Sequence, residues 1–169
     1  MLRIYVIATG GTIEKVYSEQ TGNVQNLDSK IDRYFRMLRL PDAEIAVTHL
    51  MNKDSLEMTD ADRERVLAAV REKLESGAAP VVVTHGTDTM AETAAVLGRG
   101  LSGKTVVLTG AMRPYRFGSS DGMFNLGSAL SFAQILPPGV YVAMNGRFLP
   151  WDDVRKDRRR GVFARKTRR

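Results

Sequence analysis

The sequence predicts an α/β fold, with a doubly wound and mostly parallel sheet flanked by helices. Short apolar, β-branched runs alternate along the chain with segments of helical periodicity. Such alternation favours right-handed crossovers between parallel strands, whose buried runs are apolar on both faces. With 169 residues, 43% of them apolar, the chain is long enough for one domain with a substantial core.

The elements follow from residue type and period. The predicted strands are five apolar runs: Arg3–Thr9, Ile45–Leu50, Pro80–Thr84, Thr105–Thr109 and Val140–Met144. Between them, apolar residues three or four positions apart predict helices within residues 31–38, 66–74, 91–97 and 124–132. An N-cap with acids in the first turn is predicted at Thr59, Asp60 and Asp62, and Gly77 should end that helix. Residues 12–25 are polar without a clean period and predict a mobile loop.

The charge of the chain is concentrated at its C-terminal end. Residues 1–151 hold 16 basic and 16 acidic side chains, so the formal net charge of +6 belongs to residues 152–169. We therefore divide the chain into an α/β domain, residues 1–157, and a basic C-terminal tail, residues 158–169. The tail is expected to be a solvated, partly disordered terminus. Weak, nonspecific anion or nucleic-acid contact by the tail is the alternative, and it would be sensitive to salt.

Several classes of protein are disfavoured. The chain has no cysteine, which excludes disulfides and thiolate chemistry and suits a cytoplasmic protein. The apolar run Ile4–Ala8 is too short for a secretory core or a membrane span, so no membrane association is expected. The two histidines, His49 and His85, lack the supporting carboxylate or cysteine spacing of a metal site. We predict neither a metal nor a cofactor.

Three strand ends carry glycines beside small hydroxyl residues, at residues 8–12, 84–89 and 109–114. Ligands of open parallel sheets collect beyond the carboxyl ends of the strands, so these loops are the candidates for a site. The stretch Gly10–Lys15 matches neither the dinucleotide-binding fingerprint nor the P-loop. A lone threonine here would be an ordinary turn residue, but Thr12 and Thr87 lie at two strand ends. Asp88 could also serve as the N-cap of the following helix.

Several of these motifs resemble those of bacterial-type L-asparaginases in order and in spacing. The similar segments are Ala-Thr-Gly-Gly-Thr-Ile at 8–13, Asp-Ser-Leu-Glu-Met at 54–58, Thr-His-Gly-Thr-Asp-Thr-Met-Ala-Glu-Thr at 84–93, Gly-Ala-Met-Arg-Pro at 110–114, Ser-Asp-Gly at 120–122 and Asp-Val-Arg-Lys at 153–156. The resemblance spans nearly the whole chain. It implies the Rossmann-like or flavodoxin-like N-terminal domain of that family.

The resemblance also implies roles for particular residues in hydrolysing L-asparagine to L-aspartate and ammonia. Thr12 matches the threonine nucleophile, and Tyr17 the loop tyrosine that assists it. The second polar triad is matched by Thr87, Asp88 and Lys156. Ser55 and Asp88 would hold the α-carboxylate and the α-amino group of the substrate, with backbone contacts from Gly86 and Ala111.

That chemistry has a physical basis in these residue types. A hydroxyl is a weak nucleophile at neutral pH and needs a base or relay to take its proton, which a neutral Lys156 could do. Backbone N–H groups of the glycine loops could then stabilise the oxyanion. Two alternatives stay open: a non-catalytic amino-acid-binding protein on the same fold, and a basic-tailed nucleic-acid-binding module.

The sequence departs from the resembled family in two ways. Typical members have a smaller C-terminal domain, which sends an acidic residue into a neighbouring subunit's site, whereas this chain stops soon after Lys156. Glu14 and Glu19 are the local candidates to replace that acid. Leu56 stands where many members have a polar residue, which predicts weaker substrate affinity. Because members pair subunits to complete their sites, we expect a homodimer or a higher homo-oligomer.

Overall fold

The computed structural model describes residues 1–77 and 80–166, and it confirms the alternation of strands and helices. The elements are β1 (Leu2–Gly10), β2 (Val16–Tyr17), β3 (Val24–Gln25), α1 (Ile31–Met37), β4 (Ala43–Lys53), α2 (Asp60–Glu75), β5 (Val81–Thr84), α3 (Met90–Gly100), β6 (Thr105–Thr109), α4 (Gly122–Ile135), β7 (Gly139–Met144), β8 (Arg147–Pro150), β9 (Arg155–Asp157) and β10 (Val162–Ala164). Within the described residues, no helix is both long and apolar enough to cross a membrane.

Six strands form the main sheet, in the order β4-β1-β5-β6-β7-β8. The first five are the predicted strands and run parallel, whereas β8 pairs antiparallel with β7 at the edge. β8 is not among the strands predicted from the sequence. Its turn consists of Asn145 and Gly146, which have φ angles of 53° and 76°. An Asn-Gly pair between apolar runs favours such a two-residue hairpin, so the signal was present in the sequence.

Helices cover both faces of the sheet, which makes three layers. Along β1, Ile7 packs in the cluster with α2 and α3, whereas Val6 and Ala8 pack in the cluster with α1 and α4. This alternation follows from the two-residue period of a strand, and burial of each large apolar side chain contributes about 1.5–3 kcal/mol. The two-faced burial explains why the strand sequences are continuously apolar rather than alternating.

The predicted helix boundaries hold for α2 and fail for α3. Thr59 and Asp62 form a capping box, in which each side chain accepts a hydrogen bond from the other residue's N–H. Gly77, with a φ of 84°, follows the end of α2 as predicted. However, α3 begins at Met90 with Thr89 before it, so the proposed N-cap role of Asp88 is wrong. The Asp88 carboxylate instead accepts a charge-assisted hydrogen bond from Lys156.

Residues 158–166 are folded, so the expected partial disorder is wrong there, whereas the arginines at 158–160 are solvent-exposed as expected. β9 and β10 pair antiparallel as a C-terminal hairpin, with Phe163 opposite Lys156. Phe163 is 5% exposed and packs in the same core cluster as Val154. Burying this aromatic ring holds the basic segment against the domain, whereas the charge count alone suggested a partly disordered end. Residues 167–169 of the predicted tail lie outside the described residues.

Candidate active site

The loops selected from the sequence lie along one edge of the sheet. In the parallel register, Ala8 is opposite Thr84, which in turn is opposite Thr109, so β1, β5 and β6 end side by side. The chain passes from β1 to β4 on one side of β1 and then returns to β5 on the other. Ligands of doubly wound sheets bind at such a switch point. Thr12 follows β1 and Thr87 follows β5, so these two residues flank the crevice.

Two glycines allow the loops around this crevice to touch. A Cβ atom on Gly11 would lie 2.3 Å from the backbone nitrogen of Gly86. A Cβ atom on Gly86 would lie 2.6 Å from both Cβ and Oγ of Ser55. Gly11 also has a φ of 84°, which other residues rarely adopt. Any side chain at either glycine would therefore separate the loops that carry Thr12, Ser55 and Thr87.

A lysine from the C-terminal hairpin completes a chain of hydrogen bonds at the end of β5. The Lys156 Nζ donates to Thr87 Oγ1 at 2.8 Å and to Asp88 Oδ1 at 2.9 Å. Thr87 is only 4% exposed, and the side chains of Asp88 and Lys156 are 27% and 15% exposed. The structure thus brings Thr87, Asp88 and Lys156 together, as the resemblance implied, across 68 residues of sequence.

A second cation, Arg158, binds the same carboxylate. Its Nη1 donates to Asp88 Oδ1, and its Nη2 donates to the Asp88 carbonyl oxygen at 3.3 Å. Partial burial raises the pKa of Asp88, but the hydrogen bonds and charges of Lys156 and Arg158 outweigh it and hold that pKa below its ordinary value. Arg158 was predicted to belong to the basic tail rather than to the site. Its position two residues after Lys156 could have predicted that it lies at the site, since residues two apart share a face of an extended segment.

Thr12 and Tyr17 lie on consecutive pieces of the segment that follows β1. Thr12 is half-buried and begins a short 3-10 turn, Thr12–Glu14. Tyr17 lies in a hairpin, where β2 pairs with β3 and Tyr17 is opposite Val24. Its side chain is 57% exposed, and in the part of the chain that the structure describes no hydrogen bond joins it to Thr12. The assisting role of Tyr17 therefore stays a prediction.

Ser55 is held in place from both ends. It is 2% exposed, its Oγ accepts from the Thr89 N–H at 3.3 Å, and its carbonyl oxygen accepts from Thr89 Oγ1 at 2.8 Å. The preceding Asp54 accepts from the Leu56 N–H at 2.9 Å and forms an ion pair with Lys15. Partial burial raises the pKa of Asp54, but Lys15 and the Leu56 N–H lower it below its ordinary value. The Leu56 side chain is 65% exposed.

The loop after β6 is fixed by Asp121, which was not among the predicted site residues. The carboxylate of Asp121 accepts from the N–H groups of Met112 and Arg113 at 3.0–3.1 Å. Ala111, the predicted backbone contact, is fully buried just before this clamp. Asp121 also accepts from Asn125 Nδ2 at 2.9 Å, which ties the loop to α4. Its position in the Ser-Asp-Gly segment was the available signal.

This arrangement agrees with comparisons against known proteins. Residues 3–166 match the family model described as Asparaginase, N-terminal. The chain belongs to the asparaginase family. It is 34% identical over 165 residues to a subunit of the glutamyl-tRNA(Gln) amidotransferase of Methanococcus vannielii, covering 96% of this chain and 38% of that protein. It is 32% identical over 165 residues to the L-asparaginase of Thermococcus kodakarensis, covering 96% of this chain and 50% of that one.

Among solved structures, the thermostable L-asparaginase from Thermococcus kodakarensis superimposes with a TM-score of 0.85 at 31% identity. That match covers 99% of this chain and 52% of the solved one. The chain thus spans about half, or less, of the length of these asparaginase-family relatives. The family shown by these matches is the one that the sequence motifs resemble.

The two proposed replacements for the family's additional acid lie in different surroundings. Glu14 is 2% exposed, and its carboxylate accepts hydrogen bonds from Ser29 Oγ and from the Lys30 N–H. Burial raises the pKa of Glu14 above its ordinary value, although these hydrogen bonds lower it in part. In this asparaginase-family chain, Glu14 therefore ties the 3-10 turn to the start of α1. Glu19 is exposed beyond β2.

Neither histidine has the surroundings of a metal ligand. His85 is fully buried, with Nδ1 donating to the Gly86 carbonyl oxygen and Nε2 accepting from Thr93 Oγ1, both at 2.7 Å. Burial lowers the pKa of His85 to about 4, so the ring is neutral. His49 pairs with Asp32 at 2.6 Å near the surface. Among residues 1–77 and 80–166, no three metal-binding side chains cluster together.

Proposed function

We propose that this chain is an amidohydrolase that converts L-asparagine to L-aspartate and ammonia, with Thr12 as the nucleophile. The observation that carries the proposal is the hydrogen-bonded set of Thr87, Asp88 and Lys156 at the switch point of the sheet. The contact between Gly11 and Gly86 puts this set in the loop next to Thr12. Family membership supports the same chemistry.

In the proposed reaction, the Thr12 oxygen bonds to the amide carbon and the amide nitrogen leaves as ammonia, taking the hydroxyl proton by way of neighbouring groups. Water then hydrolyses the ester on Thr12 to release L-aspartate. Because the Thr87 oxygen accepts a hydrogen bond from Lys156, its own hydroxyl proton is free to point toward the reacting atoms. Tyr17, on the hairpin that follows the nucleophile, would assist proton transfer.

Substrate binding is proposed on the same loops. Ser55 would hold the α-carboxylate and Asp88 the α-amino group, with backbone contacts from Gly86 and Ala111. Glutamine should react about a hundredfold more slowly, because its extra methylene displaces the carbonyl carbon from Thr12 if the other end of the substrate is fixed. No metal or cofactor enters the proposed reaction.

Ammonia release from L-asparagine by the purified chain tests this function directly. We expect turnover with asparagine, much slower turnover with glutamine, and turnover lower by orders of magnitude with a Thr12→Ala variant. If asparagine raised the melting temperature of the protein without any ammonia release, the chain would be an amino-acid-binding protein and the proposed reaction would be refuted.

A second candidate follows from the similarity to the glutamyl-tRNA(Gln) amidotransferase protein, whose 34% identity to this chain is close to the 32% identity of the L-asparaginase. In that case the chain would cleave an amide as part of a tRNA-dependent complex. The basic C-terminal hairpin would suit contact with phosphates. A salt-sensitive mobility shift with tRNA, together with weak turnover of free asparagine, would favour this candidate over the first.

We also propose that the active protein is a homodimer or a higher homo-oligomer, as predicted from the family resemblance. Light scattering under assay conditions tests this, and a strictly monomeric active species would refute it. The cytoplasmic location predicted from the sequence stays a prediction.

A further inference from the structure

Asp88, which should receive the substrate's ammonium group, is already occupied by two cations. Lys156 Nζ donates to its Oδ1 at 2.9 Å, and Arg158 Nη1 donates to the same oxygen. The second arm of the Arg158 guanidinium donates to the Asp88 carbonyl oxygen at 3.3 Å, so the guanidinium spans the side chain and the backbone of one residue. Because both cations bind Oδ1, an ammonium ion would have to meet this carboxylate at Oδ2 and share a negative charge that two cations already neutralise.

The neighbouring carboxylate is occupied as well. Asp54 lies close enough to Asp88 for their charges to repel, but it forms its own ion pair with Lys15 and accepts from the Leu56 N–H. Asp54 is therefore already paired with Lys15, and Asp88 is paired with both Lys156 and Arg158. The field of these charges attracts a carboxylate and disfavours a second positive charge.

We propose that Arg158 is a specificity-determining residue: by occupying Asp88, it makes the site favour carboxamides whose α-nitrogen is absent or acylated over the free amino acid. The preferred substrates are then succinamate-type amides and N-acyl-asparagines, which keep the carboxylate and the reacting amide but carry no ammonium. This inference rests on the proposed amide hydrolysis.

The Arg158 side chain is 61% exposed, so the guanidinium that binds Asp88 lies at the surface of the protein. We expect an acyl group on the substrate nitrogen to extend toward solvent on this side. The same exposure limits the size of the effect. An ion pair open to solvent contributes at most about 1 kcal/mol, which corresponds to about fivefold in an equilibrium constant.

The first experiment compares kcat/KM for L-asparagine, succinamate and N-acetyl-L-asparagine. We expect the wild-type protein to prefer the two amides without an ammonium. Arg158→Gln should shift the ratio of kcat/KM values about fivefold toward L-asparagine, mainly through KM. Arg159→Gln, which changes a neighbouring arginine of the same hairpin turn, should leave the ratio unchanged. If Arg158 had a purely structural role, Arg158→Gln would change kcat/KM for all three substrates by the same factor. That result would overturn the proposal.

A second measurement does not depend on turnover. Isothermal titration calorimetry with L-aspartate and succinate compares ligands that differ by the ammonium group alone. Arg158→Gln should shift the affinity ratio about fivefold toward aspartate. An unchanged ratio, or no binding of either ligand to either protein, would overturn the proposal. If calorimetry shows the shift but no amide releases ammonia, the proposed hydrolysis fails while the role of Arg158 in ligand selection stands.

Discussion

Replacing Lys156 by methionine removes both hydrogen bonds at the centre of the proposed site while keeping an unbranched side chain of similar length. In the wild-type protein, Lys156 Nζ lies 2.8 Å from Thr87 Oγ1 and 2.9 Å from Asp88 Oδ1. After the change, Arg158 still neutralises Asp88, so the only group left without its partner is the Thr87 hydroxyl. The substitution therefore tests the contact of Lys156 with Thr87 separately from its contribution to neutralising Asp88.

The two effects have different expected sizes. A hydrogen bond to a charged group contributes about 1.5–3 kcal/mol when buried, but the side chains of Lys156 and Asp88 are 15% and 27% exposed and Asp88 keeps Arg158. We therefore expect the free energy of unfolding to fall by about 1–2 kcal/mol. Turnover should fall much further, about 100- to 10,000-fold, because Thr87 would lose the hydrogen bond that orients its hydroxyl group, and positioned proton transfer contributes that much to a rate.

The assay measures ammonia release at saturating asparagine, alongside urea denaturation of the same samples. The control is a double variant, Arg159→Gln with Arg160→Gln, which removes two positive charges from the same hairpin and should keep turnover close to that of the wild-type protein. If Lys156→Met stayed folded and kept more than about a tenth of the wild-type turnover, the proposed role of Lys156 would be refuted. Equal losses in the control would show that general charge, and not this contact, matters.

Further predictions concern the nucleophile, the glycine contact and the acid dependence of stability. Thr12→Ala and Thr87→Ala should each lower kcat by orders of magnitude without unfolding the protein. The double variant should be little worse than either single variant, because losses at groups that act as a unit are not additive. Fully additive losses of kcat in steady-state kinetics would contradict this. Gly86→Ala should reduce kcat/KM at least about a hundredfold by displacing the loops, since its Cβ would lie 2.6 Å from a neighbouring side chain. Gly127→Ala, in open space on α4, should instead stabilise the protein by about 1 kcal/mol in urea denaturation and leave kcat/KM unchanged. Equal losses of kcat/KM in the two variants would argue against the close-contact explanation. Hydrogen bonds from Lys53 and from Thr59, the N-cap of α2, hold the pKa of Asp62 at about 2. The stabilisation that ionised Asp62 gives the folded state is therefore present above about pH 4 and is lost as the pH falls toward 2. Asp62→Asn should lower the free energy of unfolding by about 2 kcal/mol at pH 7 and weaken this acid dependence, which denaturation at about pH 7 and pH 3 would detect.

The layered fold could be predicted from the sequence without any structure. The five parallel strands were identifiable because buried strands covered on both faces must be apolar throughout, a pattern local to each run. The capping box that begins α2 was likewise visible, since Thr59 and Asp62 lie three residues apart. The strand-end loops could be selected because glycine and small hydroxyl residues there permit close approach to a ligand.

Which of these groups meet in space depends on tertiary packing. The contact between Gly11 and Gly86 is set by how two loops pass over the sheet edge, and neither loop has a local period that specifies its path. The charge count of the C-terminal segment suggested a partly disordered tail, but burial of Phe163 folds it into a hairpin. That hairpin brings Arg158 to Asp88 across 70 residues of sequence. Periodicity reports which face of an element is buried, whereas a pairing between two loops depends on the packing of every element between them.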